Sequence, residues 1–188
     1  METIQNKILK CSLIVLLFIV AGCASKSKVK YSQEQLSQVN EMVSNKKFEI
    51  NSQRALPLTT NALQSVINAG ILLPDSNAGS INLLGNTNHL RMYGDSISIY
   101  LPYFGERQLA AAYNNNEIGI QVDSVLEDAD IDFNEDRNRY EITFSAEQDM
   151  ESLNFRLIIF PNLNSTIYVN SSHRNPITYQ GKVTPVSE

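Results

Sequence analysis

The chain has 188 residues, of which 43% are hydrophobic, and its 15 basic and 20 acidic side chains give a formal net charge of −5. This length suits one domain with enough residues to bury a core. The acidic balance argues against a nucleic-acid-binding protein, because nucleic acid requires a basic surface.

The N-terminal segment has the pattern of a secretory signal peptide. Lys7 and Lys10 precede an uncharged, mostly apolar run over residues 11–22. The run is too short to span a bilayer, which requires about 20 apolar residues. Its length is typical of the hydrophobic region of a signal peptide, so we expect residues 1–22 to be removed.

The predicted signal peptide ends in Val20-Ala21-Gly22-Cys23, which resembles the lipobox of bacterial lipoproteins. The resemblance implies cleavage before Cys23 and acylation of its thiol and its new amine. Several acyl chains anchor a protein stably to a membrane. The alternatives are a plain cleaved signal peptide and an uncleaved anchor. Cys11 leaves with the signal peptide, so the mature chain cannot form an internal disulfide.

Residues 23–31 are predicted to link the lipid to a single folded domain over residues 32–188. This linker is polar and carries Lys26, Lys28 and Lys30 but no acidic residue. The lysines suit a tether close to an anionic membrane surface. Because no acidic cluster follows the lipidated cysteine, we predict a Gram-negative envelope protein on the periplasmic face of the outer membrane.

One amphipathic helix is predicted at the start of the domain, over residues 32–46. Ser32 and Gln35 have the spacing of a capping box. The apolar residues that follow recur at helical spacing; they are Leu36, Val39 and Val43. We expect this helix to cover one end of the core.

Alternating hydrophobic and polar residues then predict β-strands, starting at Phe48. After a stop at residues 54–58, strands are predicted over 81–84, 89–94, 96–101, 118–125, 128–133, 139–146, 153–160, 165–171 and 177–183. No connection is long enough for a parallel crossover. The fold class is therefore mainly β, with the helix followed by an antiparallel meander of about nine strands. The meander is expected to curl into a barrel-like or sandwich sheet, which protects the strand edges.

Residues 59–80 interrupt the strand pattern. Within this segment, Leu63, Val66 and Ile67 predict a short helix that Gly70 would close. We interpret the segment as an insertion in the domain. A flap or lid over a site is the alternative.

The sequence LPYFG, residues 101–105, ends a predicted strand at a corner. Pro102 lacks the N–H that strand pairing needs, and Gly105 permits a positive φ. The corner aromatics either plug the end of the core or form the lip of a ligand pocket, and we favour the plug. The candidate pocket residues are Tyr100, Tyr103, Phe104 and Tyr113.

Two blocks together resemble the uncharacterised bacterial domain-of-unknown-function family 4251. The first is the DS-x-x-x-x-LPYFG block at residues 95–105, and the second is the R-x-x-I-x-Y-x-G block at residues 174–181. The resemblance covers about residues 45–183. It implies a secreted or lipid-anchored β-rich domain, and it brings no catalytic residues because the family has none assigned.

Candidate chemical sites are weak in this sequence. Asp128, Asp130 and Asp132 have the spacing of the first ligands of a calcium loop, but Phe133 and Arg139 stand where Gly and Glu are needed. We therefore interpret the three aspartates as the wet face of a strand, and we predict no metal site and no cofactor.

The other reactive side chains give no catalytic pattern. His89 and His173 are the only histidines, and neither belongs to a zinc, nucleotide or serine-nucleophile motif. Arg174 either binds an anion or pairs with an acid or a carbonyl in a turn. The predicted function is therefore a non-enzymatic binding or scaffold domain of unknown ligand or protein partner, held on the membrane through Cys23. The alternatives are a lipocalin-like carrier of a small apolar ligand and an unrecognised hydrolase.

Overall fold

The computed structural model describes residues 31–109, 119–126 and 128–186. The predicted signal peptide and Cys23 lie outside these residues. The described part contains two helices and ten strands, which are α1 (Gln33–Ser44), β1 (Lys47–Pro57), α2 (Asn61–Asn68), β2 (Ile81–Asn82), β3 (His89–Tyr93), β4 (Ser96–Leu101), β5 (Ile120–Val125), β6 (Ala129–Asn134), β7 (Arg139–Gln148), β8 (Glu151–Ile159), β9 (Asn164–Ser171) and β10 (Ile177–Pro185).

All ten of these strands belong to one antiparallel sheet that curls into a half-barrel. The strand order is β5-β4-β3-β1-β10-β9-β8-β7-β6, and the short β2 also pairs with β1. β5 and β6 stand at opposite ends of this order, although only residues 126–128 connect them. Four residue steps span at most about 14 Å, so the two ends of the sheet must come close together. The predicted mainly β, antiparallel and barrel-like fold is confirmed.

The sequence predicted one meander, but the structure has two, which β1 joins: β3 to β5 on one side and β6 to β10 on the other. It pairs with β10 along its length, and its first half pairs with β3. The predicted stop at residues 54–58 is wrong, because β1 continues to Pro57. A shift of register between Ser52 and Arg54 takes up the irregularity as a bulge.

Gly181 in β10 lies directly against this bulge. A Cβ atom at Gly181 would lie 2.1 Å from the carbonyl oxygen of Asn51 and 2.8 Å from the Cα of Ser52. No side chain fits at that separation. The last glycine of the R-x-x-I-x-Y-x-G block is therefore explained by the close approach of two strands.

The core fills the inner face of the half-barrel. Strand alternation places the largest buried side chains there, including Phe48, Ile50, Leu90, Met92 and Tyr179. β8 lies between β7 and β9, and Ile158 on its other face is also buried. β8 is therefore an interior strand of the sheet that is buried on both faces at this position.

α1 begins at the predicted capping box. The Ser32 hydroxyl accepts a hydrogen bond from the Gln35 backbone N–H, and the Gln35 side chain accepts one from the Ser32 N–H. The helix buries Val39, Met42 and Val43 against the core and ends at Ser44, two residues earlier than predicted. Among the described residues, neither helix is long and apolar enough to cross a bilayer.

Candidate functional site

The two sequence blocks that carry the family resemblance meet at one end of the half-barrel. The chain after β4, residues 102–109, lies against the turn between β9 and β10, residues 171–176. Arg107 forms an isolated β-bridge with Arg174. The Gln108 N–H donates to the His173 carbonyl at 2.7 Å, and the Asn175 N–H donates to the Glu106 carbonyl at 3.1 Å. We call this contact between residues 102–109 and 171–176 the clasp.

Arg174 is the centre of the clasp, and only 3% of it is exposed. Its Nε lies 2.8 Å from Oε1 of Glu151, the first residue of β8. Its Nη1 donates to the carbonyl oxygen of Gly119 at 2.8 Å, just before β5. Its Nη2 donates to the Gln148 side chain at 3.4 Å, at the end of β7. The sequence left open whether Arg174 binds an anion or pairs with an acid or a carbonyl. In the structure it pairs with an acid and a carbonyl.

Glu151 has partners beyond Arg174. It is 5% exposed and accepts a short hydrogen bond from the Ser171 hydroxyl. A second cation, Arg107, lies 3.7 Å from its Oε2. Because a buried carboxylate needs both charge pairing and hydrogen bonds, these contacts explain how this acid is accommodated in the clasp.

Two tyrosines complete the clasp. The Tyr103 hydroxyl donates to the carbonyl oxygens of Asn175 and Glu106 at 3.0 and 3.1 Å, and its ring centroid lies 5.2 Å from the Arg174 guanidinium carbon. The Tyr179 hydroxyl donates to the Pro102 carbonyl at 2.8 Å. Burial raises the pKa of both tyrosines above the ordinary value, so both hydroxyls stay protonated donors at neutral pH.

Gly105 is required by a close contact with a neighbouring side chain, not by an unusual φ. Gly105 does not use the positive φ that glycine permits, since the glycines with positive φ in the described chain are Gly70, Gly85 and Gly94. A Cβ atom at Gly105 would lie 2.5 Å from the hydroxyl oxygen of Tyr103. The Tyr103 ring therefore folds back over the Gly105 backbone.

The structure brings together two of the four aromatics proposed as a pocket lip. Tyr103 and Phe104 are half-buried and pack against the core, which favours the plug. Tyr100 lies on the outer face of β4, where its ring stacks on His89 at a centroid distance of 6.4 Å. Tyr113 lies outside the described residues.

The other candidate chemical residues lie apart from the clasp or at its surface. Asp128, Asp130 and Asp132 are exposed on one side of β6, as predicted. The His173 Nδ1 lies 2.7 Å from the hydroxyl of its neighbour Ser172. In the described ranges, no group of three or more His, Cys, Asp or Glu side chains is placed to hold a metal ion.

A groove on the outer face of the sheet is a second candidate site, which the sequence did not indicate. It crosses β1, β10 and β9 and has a volume of about 650 Å³. We call it the outer groove. None of its lining residues is acidic, and they include Tyr31, Gln53, Arg54, Leu84, Thr166 and Gln180.

Some polar side chains of the outer groove are hydrogen-bonded within the protein, as Asn82, Asn162 and Asn164 are, and others are not. Gln53, Thr166 and Gln180 make no side-chain hydrogen bond in the described part of the chain, and Arg54 donates to the Ser80 hydroxyl at 3.0 Å. These residues are distant in sequence, and only the pairing of β1 with β10 and of β10 with β9 brings them together. Period-two alternation predicts that such residues point outward, but it cannot predict that they are neighbours.

Comparison with known proteins identifies the family. A family model described as "Domain of unknown function (DUF4251)" matches residues 30–183. The chain belongs to this family. The match begins earlier than the resemblance at residue 45 indicated, so α1 is part of the DUF4251 domain.

A crystal structure of a DUF4251 family protein from Bacteroides eggerthii is similar to this structure. The TM-score is 0.52 and the sequence identity 14%, with 81% of this chain and 88% of that chain covered. At this identity, the likeness shows the fold alone. The comparison with curated proteins gives no match.

We predict that breaking the Arg174–Glu151 pair from one side destabilises the protein by about 3–5 kcal/mol, because one buried charge loses its main partner. The variants are Arg174→Met and Glu151→Met, measured by urea unfolding. The double variant should lose clearly less than the sum of the two, because neither charge remains.

The matched control for that cycle is the more exposed pair Arg91–Glu49, in which Nε lies 2.7 Å from Oε2. Arg91→Met should cost about 1 kcal/mol or less. Additive losses at Arg174 and Glu151, or losses no larger than at Arg91, would show that the clasp is not organised by its ion pair.

Proposed function

We propose that this chain is a lipid-anchored protein of the Gram-negative cell envelope whose β domain acts by non-enzymatic binding. The outer groove is the proposed binding surface. The sequence over residues 1–23 supports the anchor. The binding role is supported by a contrast: polar groups in the clasp are hydrogen-bonded to one another, whereas several in the groove have no partner within the described protein.

The observation that carries the binding proposal is that Gln53, Thr166 and Gln180 in the groove have no side-chain hydrogen-bond partner within the described part of the protein. Amide side chains both donate and accept, and a hydroxyl does the same. Gln53, Thr166 and Gln180 therefore offer both kinds of group along one concave surface. With Arg54 beside them and no acidic residue in the lining, the groove suits a neutral or anionic polar ligand.

The clasp, in contrast, is occupied by its own contacts. The Arg174 guanidinium is paired with Glu151, Gly119 and Gln148, and the two tyrosine hydroxyls are bonded to backbone carbonyls. Catalytic groups have to meet a substrate. These side chains bind one another and the backbone. This supports an architectural role for them and a non-enzymatic role for the domain.

The carrier alternative has less support than the groove. A carrier in the manner of a lipocalin holds its ligand inside the barrel. Here the inner face bears tightly packed core side chains, and Phe48, Leu90, Met92 and Tyr179 are all fully buried. A ligand on the outer face needs no rearrangement of that core.

The first test concerns the anchor. We expect the Cys23→Ala protein to be absent from the membrane fraction that detergent extracts, because both predicted acylation sites belong to Cys23. Cys11→Ala is the matched control and should remain with the membrane. The wild-type mass should equal residues 23–188 plus acyl chains. An unmodified wild-type mass, or a Cys23→Ala protein that lacks residues 1–22 yet stays with the membrane, would contradict the anchor.

The second test concerns the groove. Native mass spectrometry of the full mature protein, extracted gently from the membrane of its own host, should find a reproducible polar adduct. The Gln53→Ala/Gln180→Ala variant should lose this adduct, because both groups contact the ligand. Asn170→Ala, also on the outer face of β9, is the control and should keep it. An apolar adduct retained by the groove variant would support the carrier instead, and an empty wild-type protein would contradict both.

A further inference from the structure

Exposed hydrophobic side chains are concentrated in one segment between β1 and β3. Of the ten large hydrophobic side chains that are exposed in the described residues, five lie within residues 58–84, with exposures from 42% to 74%. They are Leu58, Val66, Ile71, Leu73 and Leu84. Scattered exposed hydrophobic residues are ordinary, but a concentration of them indicates an interaction surface. We call residues 58–84 the apolar excursion.

The apolar excursion is an ordered part of the fold. α2 is capped by the Thr60 hydroxyl and buries Leu63 in the core. The Thr59 hydroxyl donates to the Ala78 carbonyl at 3.1 Å, and the Asn82 side chain donates to the Pro74 carbonyl at 3.1 Å. These bonds hold the two arms of the excursion together, so its exposed side chains belong to an ordered segment.

The excursion also lacks the charges that normally keep a surface in water. Between Leu58 and Leu84 the only charged residue is Asp75. At the chain average of 19% charged residues, these 27 residues would carry about five. The low charge and the exposed side chains together suit an apolar or interfacial partner.

The position of Tyr31 indicates which partner this is. Tyr31 and Leu84 line the same groove, so the described chain begins near the last residue of the excursion. The eight residue steps from Cys23 to Tyr31 span at most about 29 Å. The linker contributes Lys26, Lys28 and Lys30, which are attracted to anionic lipid headgroups.

We propose that the apolar excursion rests on the surface of the lipid bilayer in which Cys23 is anchored. This inference depends on the anchor described under Proposed function. A short tether makes the contact intramolecular, so that even a weak affinity for lipid is sufficient to hold the excursion at the surface. The contact fixes the orientation of the domain and places the outer groove, which shares Leu84, next to the headgroups.

The test uses the absence of other free thiols from the mature chain. Because Cys23 is acylated, Ile71→Cys introduces the single thiol available for an environment-sensitive fluorophore. The labelled, full-length lipidated protein is reconstituted into phosphatidylethanolamine–phosphatidylglycerol vesicles that contain spin-labelled lipids. We expect the label at position 71 to lose fluorescence by contact quenching. Adding Leu73→Asp and Leu84→Asp should restore its fluorescence while the protein stays with the vesicles.

Met150→Cys is the matched control. Met150 is an equally exposed hydrophobic residue, at 79% against 74% for Ile71, but it lies in the turn between β7 and β8, at least three strands from β1. Its label should keep its fluorescence. Equal fluorescence at both positions in vesicle-bound protein, quenched or not, would overturn the inference and leave the anchor intact.

Two further outcomes separate the remaining explanations. If the wild-type protein is not retained by vesicles, the anchor fails and the inference fails with it. If the label at position 71 shifts to the blue in Cys23→Ala protein without lipid, and the shift grows with protein concentration, a second copy of the chain covers the excursion and the lipid contact is overturned.

Discussion

The half-barrel depends on one buried cation. Because residues 126–128 return the chain from one end of the sheet to the other, the edge strands β5 and β6 must come close together, yet β5 is hydrogen-bonded to neither β6 nor β7 in the strand order. Side chains replace the missing ladder at this seam. Arg174 reaches the Gly119 carbonyl before β5 and the Gln148 side chain at the end of β7, and the Gln121 N–H donates to that same side chain at 3.2 Å. The seam is therefore closed from within the clasp.

A buried ion pair is a costly way to close a seam, because both charges lose their hydration. Its advantage here is geometric. The planar guanidinium holds one partner before β5, one in β7 and one in β8 at defined angles. The same contact explains why the two family blocks occur together: one block supplies the corner at Pro102 and Tyr103, and the other supplies Arg174, the cation that holds it. Arg174 and Tyr103, which the sequence left open as binding residues, are thus used for architecture, and the outer groove and the apolar excursion are the surfaces that we propose for partners.

Local patterns in the sequence predicted the elements better than their assembly. The capping box at Ser32 and the alternation around Ile97 and Ile99 depend on neighbours along the chain, and both appear in the structure as predicted. The same alternation already required Tyr100 to face outward, away from the core. The continuation of β1 past its bulge, the three partners of Arg174 and the meeting of Gln53 with Gln180 depend on register between distant strands. No spacing in one sequence encodes those contacts, and for that reason the outer groove was not predicted.

The most direct test of this account is amide hydrogen exchange in wild-type and Arg174→Met proteins. If the clasp holds the β5 edge in place, the variant should lose more protection in β5 and in residues 103–109 than in β8 and β9, because local opening of the released elements adds to the general loss of stability. A folded Arg174→Met protein with unchanged protection throughout β5 would contradict the account. In that case the seam would be closed by other contacts, and Arg174 would have to be considered again as a binding residue.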